Sequence, residues 1–258
     1  MKIGVIMSSF RLPAFEALAK AAEVGAHGVQ LRNERGELTP DSLDAQGRKD
    51  LLKRLAGLNL EISALCADFG KSYAKAAEFD WLIPSMKKVV DLAADLESSI
   101  ITTHIGTVPE GKGAERDAML ATLADVGAYA GAHGVRLATE TGPEDAQDLA
   151  DLLLEVNSPG LAVNYDPANL IMNGFDHIKG VEILAPWIVH THAKDSVRHA
   201  DGTKQEVPLG EGSVGFPNYL ATLRKVGFDG YLTVEREVGD NPARDIKAAV
   251  DFLKTLGI

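Results

Sequence analysis

Short apolar runs rich in β-branched residues alternate with longer amphipathic stretches along the whole chain. The short runs predict strands at 2–7, 28–32, 61–67, 99–106, 135–141, 161–166, 187–193 and 231–236. In the first longer stretch Phe15, Leu18 and Ala22 recur at the spacing of one helix face, and glycine ends the element. Similar stretches predict helices near 41–57, 75–96, 114–133, 143–155, 175–184, 216–226 and 242–255. The pattern therefore predicts a repeated pair of strand and helix.

Strands separated by helices of this length need right-handed crossovers and therefore pair in parallel. Such a sheet is either open and doubly wound or closed, and eight pairs in 258 residues favour a closed barrel. The turn after the first strand, in GVIMSSF, lacks the G-x-G-x-x-G pattern of an open dinucleotide-binding sheet. No linker-like segment interrupts the alternation. We therefore predict an α/β fold, a single-domain (β/α)8 TIM barrel over residues 1–258.

Composition narrows the class of partner. The chain has 26 Lys plus Arg against 37 Asp plus Glu, and the resulting formal charge of −11 repels nucleic-acid backbones. No apolar run reaches the roughly 20 residues that span a bilayer. The start of the chain has the pattern of a strand and not of a secretion signal, and the single cysteine excludes an intramolecular disulfide. We predict a cytoplasmic protein that binds a small molecule and neither nucleic acid nor membrane, with a homo-oligomer left open.

The carboxyl ends of the predicted strands carry the candidate chemistry, because catalytic groups of such barrels lie there. Those ends present His104, Glu140, Asp166, His192 and Glu235, ionisable residues that apolar interiors normally exclude. Three carboxylates and one imidazole on strands five to eight would form an acidic cage that a divalent cation neutralises. Oxygen-rich ligation with one histidine favours Mn²⁺ or Mg²⁺ and tolerates Co²⁺ or Zn²⁺. We predict one metal ion per chain, bound by Glu140, Asp166, His192 and Glu235.

The stretch IVHTHAKD, residues 188–195, contains two histidines that need separate roles. Alternate residues of a strand share a face, so His190, His192 and Lys194 point one way and Asp195 the other. We predict that His192 binds the metal and that His190, one layer deeper, supports it. Lys194 would lie near the substrate, and Asp195 is the least suited of the four to chemistry.

Some candidates also have a plain structural interpretation. Any single strand-end carboxylate can be the partner of a nearby arginine or lysine, and Asp166 stands before a proline, a common turn sequence. His104 could be a hydrogen-bonded core histidine or a substrate contact. Cys66 is interpreted as buried packing, because no activating base can be assigned to it.

The segments ATETG, NYDPAN, HTHAKD and PLGEGSVGFPNYLATLRKVGFDGYLTVERE together resemble the xylose isomerase-like barrel superfamily of sugar isomerases and epimerases. The resemblance covers nearly the full chain and is densest from 136 to 237. It implies that the same four residues bind one catalytic metal. In the ketose 3-epimerases of this superfamily the first and last glutamates, here Glu140 and Glu235, also act as acid and base. An arginine six residues after the metal histidine contacts substrate there, and Arg198 holds that position here.

Two positions depart from the pattern of the superfamily. Asn169 stands where the epimerases and the DNA-repair endonucleases carry a histidine, three residues after the metal aspartate. Gln30 replaces a glutamate that is common in sugar-binding members. The endonucleases also need an Asp-x-His motif, which DGTKQEVPLGEG lacks, so DNA cleavage is not expected. We predict substrate contacts from His104, Asn169, Lys194 and Arg198.

Three functions remain compatible with this site. A metal next to placed carboxylates can remove a proton beside a carbonyl through a metal-stabilised enediolate, giving sugar isomerisation or epimerisation, which is our first hypothesis. The same carbanion with a leaving group would instead give a dehydratase or lyase acting on a keto-inositol or keto-sugar. A sugar-binding barrel without activity would keep the cage but exchange no proton.

Overall fold

Eight parallel strands close into a barrel in the computed structural model, which describes residues 1–258. These strands are β1 Lys2–Ile6, β2 Gly28–Arg32, β3 Glu61–Cys66, β4 Ile100–Thr103, β5 Arg136–Glu140, β6 Leu161–Tyr165, β7 Ile188–Ala193 and β10 Tyr231–Val234. From β1 to β7 each barrel strand pairs with the next one along the chain, and β10 lies between β7 and β1. It closes the barrel against β1, with Lys2 opposite Tyr231 and Val5 opposite Val234. The predicted (β/α)8 barrel is confirmed.

Nine helices surround the barrel: α1 Ala14–Val24, α2 Ala45–Gly57, α3 Phe79–Asp95, α4 Ala114–Ala132, α5 Ala146–Val156, α6 Pro167–Asn173, α7 His177–Leu184, α8 Phe216–Lys225 and α9 Pro242–Thr255. The last helix shows why they form, since its buried Ile246, Val250 and Leu253 recur at helical spacing and face the barrel. Its Asn241 caps the first turn by accepting from the Arg244 amide. Two short 3₁₀ helices span Met7–Phe10 and Ala76–Glu78. No helix is both long and apolar enough to cross a membrane.

The core changes character along the barrel axis. Most of it is one apolar cluster of 59 buried residues between strands and helices, and every residue of β6 is buried because the sheet is covered on both faces. Towards the carboxyl ends of the strands the barrel interior is polar instead, with buried Gln30, Asn164, His190 and His192. Unpaired polar groups are costly in such surroundings, so this end of the barrel is the place to look for a site.

One short helix and one hairpin of two strands were not predicted from the sequence. Helix α6 has only seven residues and begins with Asp-Pro, a sequence that also fits a simple turn. Strands β8 Asp195–Arg198 and β9 Lys204–Val207 form a separate antiparallel hairpin between β7 and α8. β9 is largely solvent-exposed and carries no apolar alternation, which explains why the sequence pattern missed it.

Candidate metal centre and its cavity

Four ligand-type side chains converge at the carboxyl rim of the barrel. Glu140 ends β5, Asp166 follows β6, His192 is the penultimate residue of β7, and Glu235 follows β10. Because parallel strands end at the same rim, one ligand atom from each residue lies within 4.8 Å of the others. His192 Nδ1 is 3.4 Å from Glu140 Oε1, 3.7 Å from Asp166 Oδ2 and 3.3 Å from Glu235 Oε2.

The donor set fits a divalent cation. Glu140, Asp166 and His192 are buried, and Glu235 is nearly so. The Asp166 Oδ2 atom is buried without any hydrogen-bond partner, a costly state for a carboxylate oxygen unless a cation binds it. Its other oxygen accepts from the Ala168 and Asn169 amides, which caps α6 and orients the carboxylate. Three carboxylate oxygens are hard ligands and the imidazole nitrogen is a borderline one, so this oxygen-rich set suits Mg²⁺-like or Mn²⁺-like ions.

Without a cation, neighbouring protonated groups balance the carboxylates. Burial alone would lower the pKa of His192, but the charges of Glu140 and Glu235 outweigh it and hold the pKa well above its usual value. Burial likewise opposes ionisation of Glu235, yet Lys194 and His192 keep the pKa of that carboxyl below its ordinary value. The cage therefore attracts positive charge whether or not a metal is bound.

Lys194 is the buried cation next to the cage. Its Nζ lies 3.1 Å from Glu235 Oε2 and 3.9 Å from Asp166 Oδ2, and it also pairs with Glu237. Burial lowers the pKa of Lys194, but Glu235, Asp166 and Glu237 together raise it well above its usual value. The lysine thus contacts the metal-site carboxylates directly, and the sequence prediction had placed it against substrate.

A second layer of polar side chains orients the ligands. The Gln30 carbonyl oxygen lies 3.1 Å from His192 Nε2, and the Gln30 amide donates to Thr102 Oγ1 at 3.1 Å. His192 Nε2 lies 3.1 Å from both the Gln30 oxygen and the Asn164 amide nitrogen, which leaves Nδ1 facing the carboxylates. The Asn164 amide donates to Glu140 Oε2 at 3.1 Å. These contacts were not predicted; inward-facing polar residues one layer below the rim are the signal that could have indicated them.

His190 lies beneath His192 and takes part in the same network. Its Nδ1 is 2.9 Å from Asn164 Oδ1, and its Nε2 is 2.9 Å from Thr233 Oγ1. Burial, and secondarily the positive charge of His192, lowers the pKa of His190 well below its usual value. A neutral His190 that positions Asn164 agrees with the supporting role predicted for it.

A polar cavity of about 310 Å³ opens above the cage and is lined by His104, Glu140, His192 and Glu235 among others. Only two of its 18 lining residues are hydrophobic, so the cavity suits a small polar molecule. His104 is half exposed at the end of β4, with Nδ1 2.9 Å from Asp68 Oδ2 and Nε2 3.5 Å from Glu140 Oε1. Glu140 and the hydrogen bond to Asp68 raise the pKa of His104 to about 10 against an opposing effect of burial. Sequence reasoning missed Asp68, which follows β3 in a loop.

Two predicted substrate contacts lie elsewhere. Asn169 does not line the cavity; its amide donates to Glu140 Oε1 at 3.0 Å, so it positions a ligand. Arg198 lies in the hairpin, is exposed, and donates to the Met172 carbonyl oxygen at 3.0 Å outside the cavity. The arrangement therefore gives neither residue a direct path to a molecule above the cage. Cys66 does reach the cavity, but burial raises the pKa of its thiol to about 12, which keeps it protonated.

Asp195 organises the loop after the hairpin. Its carboxylate accepts from the backbone amides of Ser196, Gly210, Gly212 and Val214, at 2.9 to 3.1 Å. A Cβ atom at residue 212 would lie 2.1 Å from Asp195 Oδ1, so this close approach requires glycine. The side chain faces away from the cavity, as its place on the strand predicted.

The fold and the ligand set define a (β/α)8 barrel with a candidate divalent-metal site at its carboxyl rim. A family model described as "Xylose isomerase-like TIM barrel" matches residues 18–256. The chain belongs to this family, as its sequence resemblance predicted.

Known proteins similar to this chain fall into more than one reaction class. A 3-dehydroshikimate dehydratase from Bacillus anthracis is 26% identical over 224 residues, which cover 78% of this chain and 75% of that protein. A xylose isomerase domain protein from Planctomyces limnophilus has a TM-score of 0.88 at 25% identity, covering 99% of this chain and 96% of that one. A D-allulose 3-epimerase from Methylomonas sp., solved with D-allulose, has a TM-score of 0.79 at 17% identity over 99% of this chain and 96% of that one, which shows a shared fold alone.

Proposed function

We propose that this chain is a metal-dependent isomerase or epimerase of a sugar or sugar derivative, which acts by removing a proton next to a carbonyl group. The single observation that carries the proposal is the cage of Glu140, Asp166, His192 and Glu235 at the floor of a polar cavity. A divalent cation held there would supply Lewis-acid polarisation of a carbonyl and a neighbouring hydroxyl. The volume of about 310 Å³ suits one molecule of monosaccharide size.

Different residues of the chain would carry out proton transfer, substrate contact and positioning of the carboxylates. Glu140 ends β5 and Glu235 follows β10, and their carboxylates lie 3.4 Å and 3.3 Å from His192 Nδ1. We assign them proton removal and proton return, since each carboxylate has an oxygen at the cavity. His104, backed by Asp68, is an imidazole at the cavity surface that can hold or donate a proton to a substrate hydroxyl oxygen. Asn169 and Lys194 position Glu140 and Glu235, and Arg198 is left out of the proposed site.

A dehydratase is the second candidate, favoured by one observation. The curated relative with 26% identity over 78% of this chain is a 3-dehydroshikimate dehydratase. Loss of water begins with the same proton removal beside a carbonyl, and then needs an acid to protonate the departing hydroxyl. His104 at the cavity surface has the position and the partner to supply that proton. The two candidates therefore share one site and differ in product.

Hydrogen exchange between substrate carbon and solvent tests the shared step. The purified protein, loaded with Mg²⁺ or Mn²⁺, is incubated in D₂O with ketoses, keto-inositols and 3-dehydroshikimate, and deuterium incorporation and products are followed by NMR. We expect metal-dependent exchange with at least one compound. An epimer or isomer as product supports the first candidate, and a dehydrated product supports the second.

The Glu235→Gln variant, with its metal content measured alongside, tests the assignment of the base. We expect exchange to fall by roughly 100-fold or more, the usual contribution of a placed general base. Exchange at the wild-type rate in this variant would contradict the role of Glu235. A loaded protein that exchanges no hydrogen with any compound would favour a binding protein over an enzyme.

A further inference from the structure

Three arginines, one from the connection after β1 and two from the end of β2 and the loop that follows it, line the same cavity. Arg11 follows the first 3₁₀ helix, Arg32 ends β2, and Arg35 lies three residues later. All three line the cavity above the metal cage. In the order of the barrel, β1 to β4 form one continuous half and β5, β6, β7 and β10 form the other. We call these the basic half of the rim and the acidic half of the rim. The arginines therefore belong to the half that faces the metal-site carboxylates across the barrel mouth.

The three guanidinium groups retain most of their hydrogen-bonding capacity. Each has five N–H donors. Arg11 uses two of them, on the carbonyl oxygens of Glu237 and Gly239, and Arg32 uses one, on Glu34. Arg35 lies 3.5 Å from Glu34 Oε1 without forming a hydrogen bond, and its side chain is 69% exposed. The remaining donors of Arg32 and Arg35 lie on side chains that are 37% and 69% exposed, so they are accessible to an acceptor on a bound molecule.

Glu34 explains why two of these arginines stay together. Its side chain is only 6% exposed, Oε1 contacts both Arg32 and Arg35, and Oε2 is buried without a partner. Asp68, which lines the same cavity, also interacts with the Arg32 charge, so two carboxylates lie beside the three arginines, and Arg11 contacts only neutral carbonyl oxygens. The arginines outnumber these two carboxylates at this wall of the cavity. Arg236, which also lines the cavity, differs because Glu206 and Asp245 already pair with it at 2.7 Å and 3.1 Å.

Arg11 is held in a conformation that a non-glycine residue rarely adopts. Its backbone has φ 55° and ψ 35°, in the left-handed region. That conformation costs about 1 kcal/mol for a residue with a Cβ atom. The two contacts with carbonyl oxygens of the loop after β10 fix the guanidinium despite this cost. Arg11 ends the first 3₁₀ helix, its backbone amide donating to the Ser8 carbonyl oxygen, so the left-handed turn sets the direction in which the chain and the Arg11 side chain leave that helix.

A second cavity of about 330 Å³ adjoins the first at the same place. Its lining shares Ser8 and the three arginines with the first cavity and is otherwise more apolar, with Met7 and Leu38 among its residues. The arginines thus stand at the boundary between the two spaces. A charged group bound by the arginines could therefore belong to a molecule whose other end lies over the metal cage.

We propose that Arg11, Arg32 and Arg35 form an anion subsite, and that the substrate therefore carries a carboxylate or a phosphate at the end remote from its metal-binding oxygens. This inference rests on the proposed function for the identity of the metal-binding end. Planar guanidinium groups with free donors match the oxygens of either anion.

Binding measurements test the subsite without relying on turnover. Isothermal titration calorimetry, on the metal-free and the Mg²⁺-loaded protein, compares 3-dehydroshikimate with its methyl ester and a ketose 6-phosphate with the free ketose. Inorganic phosphate is titrated as well. We expect at least one anion to bind roughly 10-fold more tightly than its neutral counterpart, and added salt to reduce the difference. The preferred pair distinguishes a carboxylate from a phosphate.

The variant Arg35→Met removes one guanidinium from a side chain that holds no other part of the fold. We expect it to reduce the preference for the anion by about 10-fold, a loss of about 1.4 kcal/mol. Arg244→Met is the matched control, because Arg244 is 76% exposed and lies 3.3 Å from Asp245, outside the cavity. It should leave the preference unchanged.

Three outcomes would overturn the subsite: equal affinity for charged and neutral partners, no binding of any of these anions at millimolar concentration, or the same loss in both variants. Failure of the proposed function is recognised differently. A preference for anions that depends on Arg35, together with no hydrogen exchange in D₂O, would support the subsite and contradict the proposed reaction. Hydrogen exchange on neutral sugars, together with no preference for anions, would support the proposed reaction and contradict the subsite.

Discussion

The two halves of the barrel rim handle charge in opposite ways. The acidic half buries its charged groups and pairs them closely: Lys194 is 4% exposed and lies 3.1 Å from a Glu235 oxygen. The basic half keeps its arginines near solvent and leaves most of their donors unused. Charges that are buried and paired can hold a cation in a fixed geometry, because removing any partner is expensive. Charged groups that are exposed and have unused hydrogen-bond donors can bind a ligand reversibly.

The variant Asp166→Asn should have the largest effect on the acidic half. Asparagine keeps the cap of α6, since its side-chain oxygen can still accept from the Ala168 and Asn169 amides, but it removes the charge from the cage. We expect metal affinity to fall by about 100-fold or more, with hydrogen exchange lost in parallel. Calorimetric titration of Mg²⁺ and Mn²⁺ measures this.

Asp176→Asn is the matched control for that substitution. Asp176 caps α7 in the same way, by accepting from the Ile178 and Lys179 amides, but lies outside the cage. It should bind metal with wild-type affinity. A weak effect in Asp166→Asn, or equal losses in both variants, would show that the cage does not hold the metal.

Replacing Lys194 by methionine should lower stability most when no metal is bound. The substitution leaves Glu235 buried without its cation, which costs about 3 kcal/mol and, for a chain of this size, roughly 6–12 °C in thermal midpoint. Saturating divalent metal should recover much of the loss, because the cation then balances the same carboxylates. Thermal unfolding with and without Mg²⁺ checks both statements.

The exposed pair of Lys225 and Glu182 provides the comparison for Lys194. Their side chains are 72% and 49% exposed and 2.7 Å apart, so solvent screens the pair and Lys225→Met should leave the thermal midpoint close to that of the wild type at any metal concentration. If the Lys194 variant lost equal stability with and without metal, the lysine and the cation would not share the cage carboxylates.

The smallest effect on stability is expected at Arg11, in the basic half. Arg11→Gly loses two hydrogen bonds to loop carbonyls but relieves the left-handed backbone, so thermal stability should stay within about 1 kcal/mol of wild type. Arg11→Met loses the same bonds and keeps the strain, and should be less stable than the glycine variant by about 1 kcal/mol. Both should bind phosphate or carboxylate probes more weakly. A glycine variant that is clearly the less stable of the two would refute the account of strain.

The two halves also differ in how far the sequence predicted them. Glu140, Asp166, His192 and Glu235 lie at strand ends, so recognising the alternation of strands and helices was enough to bring them together. Their mutual distances follow from the closed parallel barrel. The acidic half could be predicted because regular structure positions it.

The basic half depends on loop paths that no periodicity encodes. Arg11 and Arg35 are separated by more than 20 residues and line one cavity because a left-handed turn ends the first 3₁₀ helix at Arg11 and the loop after β2 carries Arg35 to the same place. The contact between Gln30 and His192 was missed for a related reason, since it depends on which rotamers fill the barrel interior. Arg198 was assigned to substrate by its spacing from His192, but the hairpin carries it away from the cavity.

The loop tied by Asp195 has a consequence for exchanging parts between barrels. Residues 195–214 contain the hairpin, the Asp195 carboxylate and the backbone amides of Gly210, Gly212 and Val214 that this carboxylate binds. They also contain the glycine at position 212 that the close approach of Asp195 requires. The segment therefore brings with it the partners of its own polar backbone. A transplant of this segment onto the seventh strand of another barrel would still need partners outside it, because Arg198 donates to the Met172 carbonyl oxygen and Glu206 accepts from Arg236.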